Sequence, residues 1–126
     1  MVSNPSKMAS LLDKQHLARL RQLQDCEEDA RLLARLAGSF LERAAAQLGG
    51  MRALLAEGKI DTLAEDAHAV AGSSGMFGMS RVRERCLALE NAVRAGVLEG
   101  AEELLAAAVR EFELARPELM AEFGIS

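Results

Sequence analysis

The sequence predicts an all-α protein, an antiparallel up-down four-helix bundle with an additional short N-terminal helix. Half of the 126 residues are hydrophobic, yet aromatic residues make up only 3% of the chain. Alanine, leucine, glutamate and arginine, all good helix formers, dominate the composition. Long β-branched runs, which favour strands, are missing from the sequence. Apolar residues recur at steps of three and four along several segments, the spacing of helices that bury one face.

The first two helices are predicted from their end signals. Residues 1–12 are expected to be a flexible tail, and residues 13–126 to form a single helical domain. Asp13 is placed to cap a short first helix. A long second helix is expected to open at Asp25, whose spacing to Glu28 suits a capping box, and to end at Gly58. Gly49 and Gly50 lie inside it and permit a kink, since each glycine costs about 1 kcal/mol in a helix.

Three further helices follow, joined by short turns. The third is expected to start near Asp61 or Thr62, with Thr62 and Glu65 at capping-box spacing, and to stop within residues 75–78. The fourth is expected from about Met79 to Ala95 and should end at Gly96. The fifth should end or kink at Pro117, which lacks an N–H and crowds the preceding turn. Four amphipathic helices with short connections favour an up-down bundle.

Composition also narrows the function. The net charge of −4 argues against a nucleic-acid-binding protein, which would usually carry a basic face. Cys26 and Cys86 are far apart in the chain and are expected to be reduced. The first residues lack the apolar core of a signal peptide, and no apolar run is long enough to span a bilayer. These features predict a soluble, cytoplasmic protein.

His68 is the candidate functional residue of the third helix. On a helical wheel it lies roughly 140° from Leu63, outside the apolar stripe, so its imidazole is expected to be exposed. Its neighbours one and two turns away are all small. They are Ala64, Ala71, Gly72 and Gly75. Such a helix face lets another surface approach the imidazole closely, and a mid-helix glycine is otherwise unfavourable.

These residues resemble the signature of the histidine-containing phosphotransfer (HPt) domains of two-component phosphorelays. The resemblance runs from Asp13 to about Phe112 and so covers most of the chain. Its matching positions are His68, Gly72, Ser73, Ser74, Gly78, Cys86, Leu89 and Glu90. It implies a helical bundle in which His68 accepts a phosphoryl group from, and donates it to, aspartates of response-regulator receiver domains.

Two positions depart from that signature. Val70 replaces a leucine, a mild change at a buried position, and Ala71 replaces a lysine that by resemblance would be a phosphate-stabilising cation. In an antiparallel pair of helices, Arg83 and Glu90 are expected one turn to either side of His68. Two interpretations of that flank remain open. It is either a solvated edge, or Arg83 supplies the missing charge while Glu90 orients His68 by hydrogen bonding.

The resemblance also implies the partners and cofactors. A receiver domain would bring the acidic pocket, the aspartate and Mg²⁺, and a sensor or hybrid histidine kinase would supply the phosphoryl group. The chain itself is expected to bind no cofactor or metal, nucleic acid or membrane, and to be a monomer. It has no P-loop or kinase glycine motif, so a phosphoryl carrier is predicted, not a kinase.

The sequence also offers two alternatives to a phosphoryl carrier. Glu65 and His68 have the Glu-x-x-His spacing of a metal-binding bundle, but a second copy on a facing helix is missing from the sequence. The stronger alternative is a phosphotransfer-deficient bundle that binds a receiver or kinase as an inhibitor or scaffold. Ala71, at the position of the lysine, is the residue that would favour it.

Overall fold

The structure is a computed structural model that describes residues 12–24 and 26–125. These residues contain five helices. That part of the chain contains no strand. The helices are α1 (Lys14–Gln22), α2 (Glu27–Ala56), α3 (Ile60–Met76), α4 (Ser80–Arg94) and α5 (Ala101–Phe123). No helix among these residues has both the length and the apolar character needed to cross a membrane.

Helices α2 to α5 form the predicted four-helix bundle. Each packs against the next along the chain, and α5 closes the ring against α2; the most extensive contact is between α3 and α4. The core is aliphatic except for a small group of rings. Phe40 stacks on Phe77 with ring centroids 5.1 Å apart, and Phe112 meets Phe40 edge-on at 6.5 Å. Burial of these apolar faces is the main stabilising term of such a bundle.

Helix α1 packs across one end of the bundle, where α3 and α5 both finish. The Asp13 side chain caps α1 by accepting a hydrogen bond from the His16 N–H at 3.1 Å, as predicted. The Asp13 N–H donates to the Gly78 carbonyl at 2.7 Å, and His16 Nε2 donates to the Met76 carbonyl at 2.5 Å. Glu122 of α5 forms ion pairs with α1. Its partners are Lys14 and Arg21.

The predicted tail, residues 1–12, lies outside the described residues except for Leu12. That residue is 3% exposed and belongs to the core. The predicted capping residue Asp25 also lies outside them. Cys26 precedes α2 and makes no side-chain capping bond. Both cysteines are free thiols, Cys26 exposed and Cys86 buried.

Glycines end the helices where the sequence indicated. Gly58, Gly78 and Gly96 follow α2, α3 and α4 with φ of +73°, +75° and +77°, the left-handed region that glycine adopts without steric cost. The pair Gly49 and Gly50 does not interrupt α2, which is one helix through both.

The structure differs from the sequence signals in two helices: Thr62 does not cap α3, and α5 does not end at Pro117. Helix α3 starts at Ile60, and its N-cap Lys59 makes no side-chain capping bond, so Thr62 lies inside the first turn and is not the cap. Helix α5 continues through Pro117 to Phe123. The carbonyl that Pro117 leaves without an intrahelical donor belongs to Glu113, which is exposed to water. Beyond the proline, Leu119 is fully buried and holds the last turns against the bundle.

The apolar stripe of α2 is longer than the surface that covers it. Leu32 and Leu36 precede Phe40 at helical steps of four, which would place them on one apolar stripe, yet they are 46% and 49% exposed. Helix α2 has 30 residues and its neighbour α3 has 17, so the first turns of α2 extend past the end of α3.

We expect Gly78→Ala to destabilise the fold more than Gly96→Ala. Both glycines have positive φ, which costs an alanine about 1–2 kcal/mol. At Gly78 an added Cβ would also lie 3.2 Å from the Asp13 carbonyl oxygen, whereas at Gly96 it meets nothing within 4 Å. Urea unfolding should therefore give the larger loss for Gly78→Ala, with faster hydrogen exchange in α1. Equal losses would show that α1 does not depend on this turn.

Candidate functional site

The imidazole of His68 stands on the outer face of α3, as the helical wheel predicted. Its side chain is 70% exposed. The opposite face of the same helix carries the buried stripe of Leu63, Ala67 and Val70, each at most 1% exposed. The core residues of α3 thus fix the direction in which His68 points, because a helix has a single rotational setting once one face is buried.

Helix α4 lies beside α3 and brings Glu90 to the imidazole. Glu90 Oε1 is 3.1 Å from His68 Nδ1, so the hydrogen bond considered from the sequence is present. The Glu90 side chain is 10% exposed, although that of its partner is largely in solvent. Its second oxygen, Oε2, accepts a hydrogen bond from Arg94 Nε at 2.8 Å. The site is therefore a chain of three side chains, from Arg94 through Glu90 to His68.

Arg94 was not predicted as a site residue. Its signal in the sequence is the spacing of four residues from Glu90, which places a carboxylate and a guanidinium on one face of a helix. That spacing is common on solvated helices, and it becomes informative only when Glu90 is known to bind His68. Because Arg94 holds one carboxylate oxygen, the other is directed at the imidazole.

The electrostatics of Glu90 decide which ring nitrogen carries the proton. Burial of the Glu90 carboxyl opposes its ionisation, but hydrogen bonds from Arg94 and His68, and the charges of both, outweigh burial and lower its pKa below the ordinary value. An ionised carboxylate can only accept hydrogen bonds. His68 Nδ1 must then carry the proton, which leaves the lone pair of the neutral ring on Nε2. The ring nitrogen with a lone pair available for reaction is therefore Nε2.

The small residues near His68 fall into two groups. Gly72 is exposed and Gly75 half-buried, and a Cβ added at Gly72 would meet nothing within 4 Å. Ala64 and Ala71 are 1% and 2% exposed, so they do not form the open surface that the wheel suggested. They lie between the core stripe and His68 on the helix, where neighbouring side chains cover a methyl group. Their part in the phosphate environment stays a prediction.

Arg83, the candidate substitute for the lysine, lies further along the same face. Its side chain crosses from α4 onto α3 at Gly75, where Arg83 Cδ is 2.9 Å from the position of an ideal Cβ. Of the two interpretations of this flank, a uniformly solvated edge does not hold for Glu90, which is 8% exposed. Arg83 itself is exposed.

Metal binding and thiol chemistry are two other activities that residues near this site could in principle support. Within residues 12–24 and 26–125, no group of three or more His, Cys, Asp or Glu side chains is arranged to hold a metal ion. Cys86 lies on the core stripe of α4, and burial raises the pKa of its thiol to about 12. The thiol therefore stays protonated and is a poor nucleophile.

Comparison with known proteins agrees with the geometry. The family model described as the Hpt domain matches residues 35–122, most of the chain. The chain therefore belongs to the Hpt domain family, as the resemblance of its sequence indicated. No match was found among curated protein sequences.

Solved structures share the fold. The chain is similar to histidine-containing phosphotransfer protein B (HptB) from Pseudomonas aeruginosa PAO1, with 28% identity and a TM-score of 0.81 over 92% of this chain and 96% of that one. It is also similar in fold to the phosphotransfer protein ZmHP2 from maize, with 21% identity, a TM-score of 0.80 and coverage of 94% and 92%. A putative histidine-containing phosphotransfer protein from rice gives 19% identity and 0.78, with coverage of 94% and 84%.

We expect Glu90→Gln to loosen the control of the imidazole tautomer. In the natural protein, ¹⁵N spectra of the ring should show Nδ1 protonated and Nε2 unprotonated at neutral pH. A neutral amide can accept from or donate to Nδ1, so the variant should populate both tautomers. Because the pKa of Glu90 is lowered, its carboxyl group is ionised at neutral pH, where the tautomer is measured. An unchanged tautomer in Glu90→Gln would remove Glu90 from this role.

Proposed function

We propose that this protein is a phosphorelay intermediate whose His68 accepts and donates a phosphoryl group in two-component signal transduction. The donors and acceptors are aspartates of response-regulator receiver domains, one of them linked to a sensor or hybrid histidine kinase. The observation that carries the proposal is the hydrogen bond from His68 Nδ1 to Glu90, which leaves Nε2 as the nucleophile of an exposed ring.

The chemistry follows from this arrangement. In the forward step, the Nε2 lone pair attacks phosphorus and a P–N bond forms. The P–O bond to the partner's aspartate breaks, and that carboxylate leaves with the electron pair. The ring keeps its Nδ1 proton and becomes positively charged, and the Glu90 carboxylate 3.1 Å away offsets that charge. Donation is the same step in reverse, with neutral imidazole leaving and the second aspartate attacking.

The rest of the machinery is assigned to the partner. Phosphoryl transfer needs a cation to offset the charge on the phosphate oxygens, and we assign Mg²⁺ and its acidic pocket to the receiver domain. This chain contributes the nucleophile and the surface on which the receiver docks, so it acts as a phosphoryl carrier without a kinase activity of its own. We propose that it works as a monomer in the cytoplasm.

The docking surface is centred on the exposed backbone of α3 beside His68. In-line attack requires the receiver's aspartyl phosphate to come within bonding range of Nε2, and a long side chain next to the imidazole would obstruct that approach. Gly72, one turn from His68 and open to solvent, leaves this space free.

The first test is chemical. On incubation with phosphorylated receiver domains, the natural protein should take up label that is acid-labile and base-stable, as a phosphoramidate is. His68→Gln should abolish the label and leave the helical circular dichroism unchanged, because the His68 side chain is 70% exposed and contributes little packing. Acid-stable label, or label that survives this substitution, would contradict the proposal.

A second test addresses docking. Gly72→Gln should fold, because the new side chain meets open space, but it should sharply slow transfer by keeping the receiver away. Gly38→Gln is the matched control: it is also a helical glycine with nothing within 4 Å of an added Cβ, and it lies on α2 away from His68. Normal transfer by Gly72→Gln would refute close approach at this face.

A binding-only bundle remains the second candidate, and Ala71 is the observation that favours it. The signature has a lysine here, whereas this chain has a methyl group that is 2% exposed. A protein of this kind would bind receiver domains and inhibit or scaffold them while taking no label on His68. Titration calorimetry together with the labelling experiment separates the two functions.

A further inference from the structure

Arg83 is seated across α3 at a place that only a glycine permits. A Cβ on residue 75 would lie 2.9 Å from Arg83 Cδ and 3.3 Å from Nε, and the first distance is shorter than real Cβ contacts. Gly75 thus forms a notch into which the stem of Arg83 fits. The notch is seven residues beyond His68, two turns along the same helix, so it lies at the edge of the face that carries the imidazole.

The charge of Arg83 is unused within the described residues. Every other arginine of α4 has a carboxylate partner: Arg81 and Arg85 approach Glu111 at 3.8 and 3.9 Å, and Arg94 binds Glu90 at 2.8 Å. Arg83 is exposed, and no ion pair or hydrogen bond joins it to residues 12–24 or 26–125. The sequence thus keeps a free guanidinium at this edge and gives it a fixed path across α3.

The position of the notch decides between two roles for the Arg83 charge: contact with a phosphoryl group on His68, or contact with a docked partner. Seven residues of helix correspond to about 10 Å along the axis, which is beyond hydrogen-bond range of a phosphoryl group on His68. A receiver docked on His68 would nevertheless extend over this edge. The chain carries a net charge of −4, so an acidic partner is repelled overall and gains from a local positive group at the contact.

We propose that Arg83, positioned by Gly75, is a docking residue that binds an acidic side chain on the rim of the receiver domain. This inference rests on the proposed phosphotransfer function and adds the chemistry by which the partner is recognised. Arg83 then acts on the encounter between the proteins, leaving the phosphoryl-transfer step to His68 and Glu90.

The experiment is a double-mutant cycle on transfer from a phosphorylated receiver domain that labels the natural protein. Arg83→Ala should raise KM by about two- to fivefold, the range of an exposed ion pair, with kcat nearly unchanged and a weaker salt dependence. Gly75→Ala should fold at least as stably, since alanine favours helices and the Arg83 side chain can swing away. It should nevertheless raise KM to the same extent, because it displaces the guanidinium.

The decisive result is the combination. If Gly75 acts by seating Arg83, Gly75→Ala adds nothing in the Arg83→Ala background. If the new methyl group blocks the partner directly, its effect persists there, and the seating role is overturned. Arg110→Ala removes the same charge from an exposed position on α5, across the bundle from α3, and should leave KM unchanged.

The remaining outcomes separate this inference from the function on which it rests. If receivers label the natural protein while Arg83→Ala keeps the natural KM and salt dependence, the docking role falls and the phosphotransfer function stands. If no receiver labels the natural protein, the phosphotransfer function fails and the docking role with it.

Discussion

The packing of α4 against α3 is the contact on which the site depends. His68 and Glu90 are 22 residues apart in the chain, and their hydrogen bond exists only because two buried stripes fix how the helices face each other. Leu63, Ala67 and Val70 set the rotation of α3, and Val82, Cys86 and Leu89 set that of α4. A change of one residue in their register would rotate a side chain by about 100° and separate the pair.

Glu90 and His68 lie in opposite environments, the carboxylate buried and the imidazole in solvent. An acid with its side chain 10% exposed would tend to be neutral, and Arg94 prevents this by holding one of its oxygens. The imidazole, in contrast, remains in water, where a partner can reach it. Burial of the carboxylate makes its effect on the ring stronger, since charges interact more strongly where water is excluded. The buried Glu90 thus controls the protonation of the His68 ring from the protein side, while the outer side of the ring stays accessible to a partner.

Most of the fold could be predicted because helical periodicity is a local property. The step of three to four residues was enough to place the bundle, the outward direction of His68 and the glycines that end three of the helices. Local rules are less reliable where tertiary packing opposes them: α5 continues past Pro117, and the buried Leu119 holds its last turns against the bundle.

The site was harder to predict than the fold. A helical wheel gives the direction of a Cα–Cβ bond but not the surfaces that neighbouring helices cover, so Ala64 and Ala71 were expected to be open and are buried. The path of a long side chain is a further unknown, which is why the Arg94–Glu90 pair and the Arg83–Gly75 contact emerge only from the structure. The hydrogen bond between His68 and Glu90 was one of the two interpretations left open by the sequence and is present, whereas the pairing of Arg94 with Glu90 was not predicted.

The single exposed imidazole has a consequence for the rate at which phosphoryl groups pass between partners. Under the proposed function, one nucleophilic nitrogen on one face would hold one phosphoryl group and contact one partner at a time, so upstream and downstream receivers would compete for the same surface. Throughput then depends on how many copies of this small protein the cell keeps and on how quickly each partner departs. A strongly bound receiver, even an unphosphorylated one, would act as a brake by occupying the carrier.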